Sequence, residues 1–259
     1  MLDIEDLHVS VRPTCDARCA RKGVVKAQRQ RVLGFAAKAM PPEDEIVADA
    51  RRCIYCYDPP CNGCCPANLN VRDYVHAASV RNWYYASKVI LTSNPLPLST
   101  AALCAVKGLC QGGCNLRDTV GGSIKTNLIQ QFAVRKFREY NIKPICPPSN
   151  GKKVAVVGSG PSGLSAATYL RRLGFDVTVF ESEAQAGGLL TKELLPHRLP
   201  REDVEFEVQL IKDMGVQFQF NKKLGTDFTV DSLVEEGFLA VFVAIGKPEE
   251  IVPEFPVVG

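Results

Sequence analysis

The order of apolar and polar positions divides this chain into a helical part and a part that alternates strands with helices. Acidic residues follow Pro41-Pro42 and suit the first turn of a helix, and Asn70 suits an N-cap because Asp73 follows in the next turn. Four helices are predicted before residue 141: from residue 43 into Arg52, from Val71 onward, over about 82–91, and over about 124–140.

After a proline-rich linker at residues 144–149, the pattern changes to strand, glycine turn, helix and strand. The segments VAVVG, SGPSG, LSAATYLRRLG and DVTVFE lie between Val154 and Glu181. Such apolar runs are typical of parallel strands buried on both faces. A helix is predicted at about 201–214, and strands at about 216–220 and 240–244. The predicted fold class is α + α/β: a helical domain over residues 1–148, then a Rossmann-type, doubly wound domain over residues 149–259.

Composition narrows the class of protein. Apolar residues make up 46% and charged residues 23% of the 259 residues, which is typical of a globular protein. A formal net charge of +3 is too small to predict a nucleic-acid partner. No run of 18 apolar residues predicts a membrane span. Because the N-terminal residues also lack a secretory pattern, we expect an intracellular, reducing compartment, either the cytoplasm or the mitochondrial matrix.

Cysteine is the unusual residue. The chain has eleven, an odd number, and nine of them lie between Cys15 and Cys110. A secreted scaffold would be short and would normally pair all its cysteines, whereas clustered thiols in a reducing compartment more often bind metal. Metal binding is therefore predicted over disulfides.

The spacing of the cysteines favours iron–sulfur clusters. The sequence reads Cys53-x2-Cys56-x4-Cys61-x3-Cys65-Pro66 and then Cys104-x5-Cys110-x3-Cys114. Closely spaced thiolates wrap one cluster, and a fourth cysteine followed by proline often binds another cluster. Zinc is the main alternative, because Cys-x2-Cys is also half of a zinc site. The seven thiols do not divide into two such pairs, which disfavours zinc.

A dinucleotide fingerprint follows the first predicted strand. It consists of Gly158-Ser159-Gly160-Pro161-Ser162-Gly163 and of Glu181 at the end of the next strand. The first glycine permits a tight turn, the second lets the backbone approach a pyrophosphate, and the third allows close helix packing. The acid would accept the ribose hydroxyls. The pattern alone does not separate NAD from FAD.

The cysteine segments resemble a known family. RRCIYCYDPPCNGCCPANLNVRDYV, SNPLPLSTAALCAVKGLCQGGCNL and LIQQF are similar to the N-terminal helical domain of dihydropyrimidine dehydrogenase, with the small subunit of glutamate synthase a more distant relative. The resemblance implies an all-helical domain with two 4Fe–4S clusters. It assigns Cys53, Cys56, Cys61 and Cys114 to the first cluster, and Cys65, Cys104, Cys110 and Gln130 to the second. The neutral amide of Gln130 would remove one negative charge and tune the potential.

The resemblance continues into the Rossmann part. The segment ESEAQAGGLLTKELLPHRLP is similar to the stretch that wraps FAD in the family, so FAD is the expected cofactor. The implied FAD contacts are Gly158, Ser159, Gly160, Pro161, Ser162, Gly163, Glu181, Gly188, Leu189, Arg198 and Leu224. The alternative for Arg198 is an ordinary surface arginine, and the alternative for Leu224 is simple apolar packing. Cys64, Cys146, Cys15 and Cys19 are interpreted as thiols without a ligand role.

The resemblance covers about residues 43–250 and only the front part of the family's proteins. We therefore expect the first half of an FAD domain, weak FAD binding, and no complete enzyme in this chain alone. The predicted function is an electron-transfer module that relays electrons between FAD and two 4Fe–4S clusters toward a partner protein subunit. The alternative is a non-catalytic accessory subunit of a larger redox complex, such as a respiratory one, that keeps the clusters for structural reasons.

Overall fold

The computed structural model describes residues 40–246, which fall into two compact units, residues 40–141 and residues 142–246. Cys15 and Cys19 lie outside the described residues. Within residues 40–141 every regular element is a helix. These are α1 Glu43–Arg51, α2 Pro60–Gly63, α3 Val71–Ser79, α4 Trp83–Ser93, α5 Pro97–Leu103, a 3-10 turn Val106–Gly108, and α6 Thr126–Glu139.

Local sequence explains where the helices of the first unit begin. Three acids occupy the first turn of α1, where they favour the positive end of the helix dipole. The side chain of Asn70 accepts a hydrogen bond from the Asp73 amide at the start of α3, and Asn82 caps α4 in the same way through the Tyr85 amide. The predicted helix starts at residues 43 and 71 are confirmed.

The core of the first unit lies along α6. Ile129, Ala133 and Val134 of this helix are fully buried, as is Ile90 of α4. The hydroxyl of Ser87 in α4 donates to the carbonyl of Ala133 at 2.7 Å, so the two helices are tied by a buried polar contact as well as by packing. Helix α6 is therefore fixed against α4 in the core of this unit.

The second unit is a parallel sheet with helices. Its elements are β1 Lys153–Val157, α7 Pro161–Arg172, β2 Asp176–Phe180, α8 Leu189–Lys192, α9 Arg201–Asp213, β3 Gln217–Gln219, α10 Val230–Glu235 and β4 Phe238–Val243. The strand order is β3-β2-β1-β4, and every pairing is parallel. This is the order of the first half of a dinucleotide-binding doubly wound sheet. The predicted strand–helix–strand unit is confirmed.

The central strands β1 and β2 are buried after their first residue, as their apolar sequences predict. The loop after β1 and the end of β2 thus meet at the carboxyl edge of the sheet, where ligands of such sheets bind. No helix within residues 40–246 is long and apolar enough to cross a membrane.

Candidate metal centre and dinucleotide site

The predicted ligands of the first cluster line one cavity in the first unit. We call these four thiols, Cys53, Cys56, Cys61 and Cys114, the first set. The empty volume of the cavity is about 450 Å³, counting space that is open to solvent. Its walls are mostly apolar and include Pro59, Pro60, Val71, Val75 and Ile124. An apolar wall limits access of water, which is one of the means by which a protein tunes a metal centre.

Two glycines bring Cys114 to thiols that precede it by more than fifty residues. A Cβ atom on Gly113 would lie 2.7 Å from Sγ of Cys64 and 3.2 Å from the carbonyl oxygen of Pro60. A Cβ atom on Gly112 would overlap the carbonyl of Lys107. Because only glycine fits at both positions, the loop from Cys110 to Cys114 can lie directly against α2. Cys64 is buried in this contact.

A polar network holds the loop between Cys56 and Cys61. The side-chain nitrogen of Asn62 donates to Oδ1 of Asn70 at 2.8 Å, and Oδ1 of Asn62 accepts from the backbone amide of Arg72 at 3.1 Å. The Arg72 guanidinium donates to the carbonyls of Cys56 and Tyr57, both at 3.3 Å. The loop is therefore anchored to the first turn of α3.

Burial and the neighbouring thiols disfavour ionisation of Cys53 and Cys61. Burial is the largest cause that raises the pKa of Cys53, and its neighbours Cys114 and Cys56 raise that pKa further. Burial, followed by Cys53 and Cys114, raises the pKa of Cys61 to about 12. The thiols are thus close enough to repel one another when ionised, and a bound metal would have to displace their protons.

We call the remaining predicted ligands, Cys65, Cys104, Cys110 and Gln130, the second set. Burial raises the pKa of Cys104, and Cys65 and Cys110 add to that rise. Burial is also the largest cause that raises the pKa of Cys110, and the nearby Cys65 raises it further, whereas a contact with Thr126 lowers it. The three thiols of the second set therefore lie near one another.

Gln130 is buried in α6 and its amide is held in place. The nitrogen donates to the carbonyl of Pro97 at 2.7 Å and to Oγ1 of Thr100 at 3.3 Å. Thr100 lies about one helical turn before Cys104, which directly follows α5. The Gln130 side chain therefore lies on the part of α5 that leads into the second set.

Tyr74 lies near thiols of both sets. It is almost completely buried, and its hydroxyl donates to the carbonyl of Thr126 at 3.3 Å. Burial raises its pKa well above the usual value, and Cys110, Cys65 and Cys61 raise it further. Since these cysteines belong to both sets, the Tyr74 hydroxyl lies near thiols of each.

The cysteines do not form a compact site for a single ion. Among residues 40–246, no three His, Cys, Asp or Glu side chains come together closely enough to hold one metal ion. None of the nine cysteines in this range is in a disulfide. In a zinc site all ligands surround the same ion, whereas in a cubane each thiolate binds a different iron and the sulfurs lie farther apart.

The glycine-rich loop of the second unit has the shape that its sequence predicts. Gly158 has φ +102°, in a region that favours glycine, and a Cβ atom there would overlap the carbonyl of Ala244. A Cβ on Gly163 would overlap the carbonyl of Gly158, so α7 packs closely on the loop. A Cβ on Gly160 would meet no atom within 4 Å. The backbone at Gly160 is thus open to a group that approaches from outside.

Glu181 holds the same loop. One carboxylate oxygen accepts from the amide and the hydroxyl of Ser159, at 2.8 Å and 2.5 Å. The other accepts from the hydroxyl of Ser182 at 3.1 Å and from the Glu183 amide at 2.9 Å. Burial alone would raise the pKa of Glu181, but these hydrogen bonds outweigh it and lower the pKa. All of the roughly four acceptor positions of a carboxylate are therefore used.

The other predicted FAD contacts are spread around this loop. The Gly187 amide donates to the Ser159 carbonyl at 3.0 Å, and a Cβ on Gly188 would lie 2.9 Å from Cα of Gly160. Leu189 and Arg198 are exposed. Leu224 packs against the buried cluster that includes Phe180 and Leu233. The segment at residues 187–188 therefore covers the glycine-rich loop, and the placement of Leu224 is also what simple apolar packing would give.

Several residues of the site have no signal in the sequence. Thr126 contacts Cys110, and Asn115 donates to Sγ of Cys56 at 3.3 Å. Tyr74 and Arg72 are ordinary residues of a predicted helix. The contacts that bring these residues to the site are made to residues distant in sequence, so neither spacing nor periodicity indicates their roles.

Two family models match the chain. Residues 29–142 match dihydropyrimidine dehydrogenase domain II, 4Fe–4S cluster, and residues 156–222 match the NAD(P)-binding Rossmann-like domain. The chain is therefore a redox module that joins an iron–sulfur domain to a Rossmann-like NAD(P)-binding domain.

Sequence relatives define the module more narrowly. The NAD-dependent dihydropyrimidine dehydrogenase subunit PreT of Escherichia coli (strain K12) is 34% identical over 202 residues, 77% of this chain and 48% of the relative. The glutamate synthase (NADPH) small chain of that strain is 30% identical over 206 residues, 79% of this chain and 43% of the relative. The resemblance to these two families is thus confirmed, and the chain spans about half the length of the curated relatives it matches.

Proposed function

We propose that this chain holds two 4Fe–4S clusters and FAD, and that it relays electrons between the flavin and a partner protein subunit. The grouping of the predicted ligands into two sets supports the proposal most, because a relay over two clusters needs two such sets. Each set also contains residues from both cysteine segments. We further propose that residues 1–148 form the cluster domain and residues 149–259 the first half of the FAD domain.

The first set fits a cluster in its chemistry and its setting. Its four thiols surround a cavity with apolar walls, and Arg72 lies beside it as a positive charge that would offset part of the charge of four thiolates. Cys114 reaches the cavity because Gly113 allows the loop to lie against α2. The spread of the thiols suits irons at separate corners better than one zinc ion.

The second set fits a cluster with one neutral ligand. An amide binds iron through its carbonyl oxygen, and the nitrogen of Gln130 is already held by Pro97 and Thr100. Those contacts would fix the side chain so that its oxygen can serve as the ligand. With three thiolates in place of four, the site carries one negative charge fewer, which favours the reduced form.

The Rossmann unit fits a dinucleotide with a pyrophosphate at Gly160. The open space at Gly160 and the start of α7 behind it leave room for a phosphate beside unpaired helix amides. Ribose hydroxyls would have to replace the hydroxyl of Ser159 or of Ser182 on Glu181, since its acceptor positions are used. Gly188, Leu189 and Arg198 are proposed to cover the flavin nucleotide from the other side.

When bound, FAD would exchange two electrons with a donor or acceptor, and the clusters would carry them one at a time. A relative that is named as a subunit of a dehydrogenase supports a partner subunit for this chain too. The saturated Glu181 carboxylate favours a second candidate function. In it the chain is an accessory subunit that keeps its clusters for structural reasons and binds no flavin.

Anaerobic reduction of the purified protein separates the two functions. The protein is reconstituted with iron, sulfide and FAD, freed of excess, and reduced stepwise while visible and electron paramagnetic resonance spectra are recorded. The relay predicts flavin bands that bleach together with two distinct cluster signals. Two cluster signals with no retained flavin would favour the accessory role, and no cluster signal would refute both.

A further inference from the structure

We propose that Thr126 raises the reduction potential of the second cluster by donating a hydrogen bond to the Cys110 sulfur, so that electrons favour this cluster over the first. The inference rests on the proposed function, because it needs a cluster on the second set. It assigns to Thr126 a positioning role that acts through Cys110.

The contact is well placed for this role. Oγ1 of Thr126 lies 3.2 Å from Sγ of Cys110, within hydrogen-bond range for sulfur. A cysteine that binds iron has lost its proton, so the hydroxyl must be the donor once the cluster is bound. Thr126 is only 3% exposed, so water does not compete for its hydroxyl, and an electrostatic contact is stronger in such surroundings.

The backbone of Thr126 is held independently of its hydroxyl. The residue begins α6, its amide donates to the carbonyl of Ile124 at 2.8 Å, and its carbonyl accepts from the buried Tyr74 hydroxyl. Replacing the side chain therefore leaves the positioning contacts intact. Valine has nearly the shape of threonine without the hydroxyl, which makes it the natural test.

The first set has a weaker counterpart. Nδ2 of Asn115 lies 3.3 Å from Sγ of Cys56, but Asn115 is exposed, so water can replace this donor when it is lost. A hydrogen bond to a ligand sulfur stabilises the more negative, reduced cluster and raises its potential. The buried donor on the second set should therefore raise the potential more than the exposed donor on the first set does, so electrons pass from the first cluster to the second.

The experiment compares wild type, T126V and T126S. Iron and sulfide are measured first, then each cluster signal is followed by electron paramagnetic resonance during a redox titration. We expect T126V to lower the potential of one signal only, by about a tenfold change in the reduced-to-oxidised ratio, or about 59 mV for one electron. T126S, which keeps the hydroxyl, should titrate like wild type.

Each other result is decisive. If T126V keeps both clusters with unchanged potentials, the inference about Thr126 is wrong while the proposed function stands. If wild type itself holds no clusters, the proposed function fails first. Should T126V lose the second cluster, T126A is measured. In T126A, a lowered potential of that one signal would support the inference, whereas an unchanged potential, or loss of the second cluster here too, would overturn it.

Discussion

Replacing Gly113 by alanine tests how Cys114 reaches the first set. The new Cβ atom would lie 2.7 Å from Sγ of Cys64 and 3.2 Å from the Pro60 carbonyl, so the loop or α2 must shift. Cys64 is buried, and its short side chain has little freedom to move away. Overpacking of this kind costs about 1–3 kcal/mol. The strain acts on the segment that carries Cys114 into the cavity.

The assay is the rate at which cluster absorbance bleaches at a fixed urea concentration, together with the iron content. If the whole cost of about 1–3 kcal/mol raises the unfolding rate, bleaching becomes faster by about five- to 150-fold. Gly108→Ala is the matched control, because its Cβ atom meets no atom within 4 Å. Cys64→Ala removes the clashing sulfur and should rescue most of the loss when combined with Gly113→Ala.

Two outcomes would contradict this role of Gly113. Gly113→Ala with wild-type iron content and wild-type bleaching would show that the close contact at α2 does not hold Cys114 in place. A double variant as impaired as Gly113→Ala alone would show that the Cys64 sulfur is not what the new Cβ atom clashes with. The single variant Cys64→Ala should keep both clusters, since Cys64 is not among the proposed ligands.

Three further predictions concern the ligands and the dinucleotide loop. Cys61→Ala should lose iron and most helical circular dichroism, since cluster binding supplies folding free energy, while Cys146→Ala in the linker should keep both. The iron taken up on reconstitution should increase from about pH 6.5 to about pH 8.5, because the Cys61 thiol must lose its proton to bind iron and its pKa is about 12. Equal iron uptake across this range would contradict the prediction. Gly160→Ala should weaken FAD binding at unchanged melting temperature, whereas Gly163→Ala should lower the melting temperature, and the reverse pattern would count against the loop geometry.

Much of the fold follows from local rules. The helix start at residue 43 was predictable because acids in the first turn favour the helix dipole, and the start at residue 71 because an asparagine cap accepts from a first-turn amide. Helix α5 was not predicted, although Pro97 occupies its first turn, where proline is tolerated. Helix α10 begins with a capping box between Thr229 and Ser232. The second member of a capping box is usually Glu or Gln, so this pair does not match the usual sequence signature.

The candidate site was predictable only in part, for a physical reason. Spacing indicates that thiols bind a cluster, but their division into two sets needs contacts across some fifty residues, which spacing does not encode. The role of Gly113 depends on its contact with Cys64, and that of Thr126 on its contact with Cys110. Glu181 was predicted at the right place, yet its hydrogen bonds to the loop became visible only in the structure.

Metal and sulfide counted in the protein reconstituted and purified under anaerobic conditions show whether two cubane clusters occupy the two sets of ligands. Two 4Fe–4S clusters correspond to about eight irons and about eight acid-labile sulfides per chain, with no zinc. Zinc bound to the thiols, or cysteines without inorganic sulfide, would contradict the account.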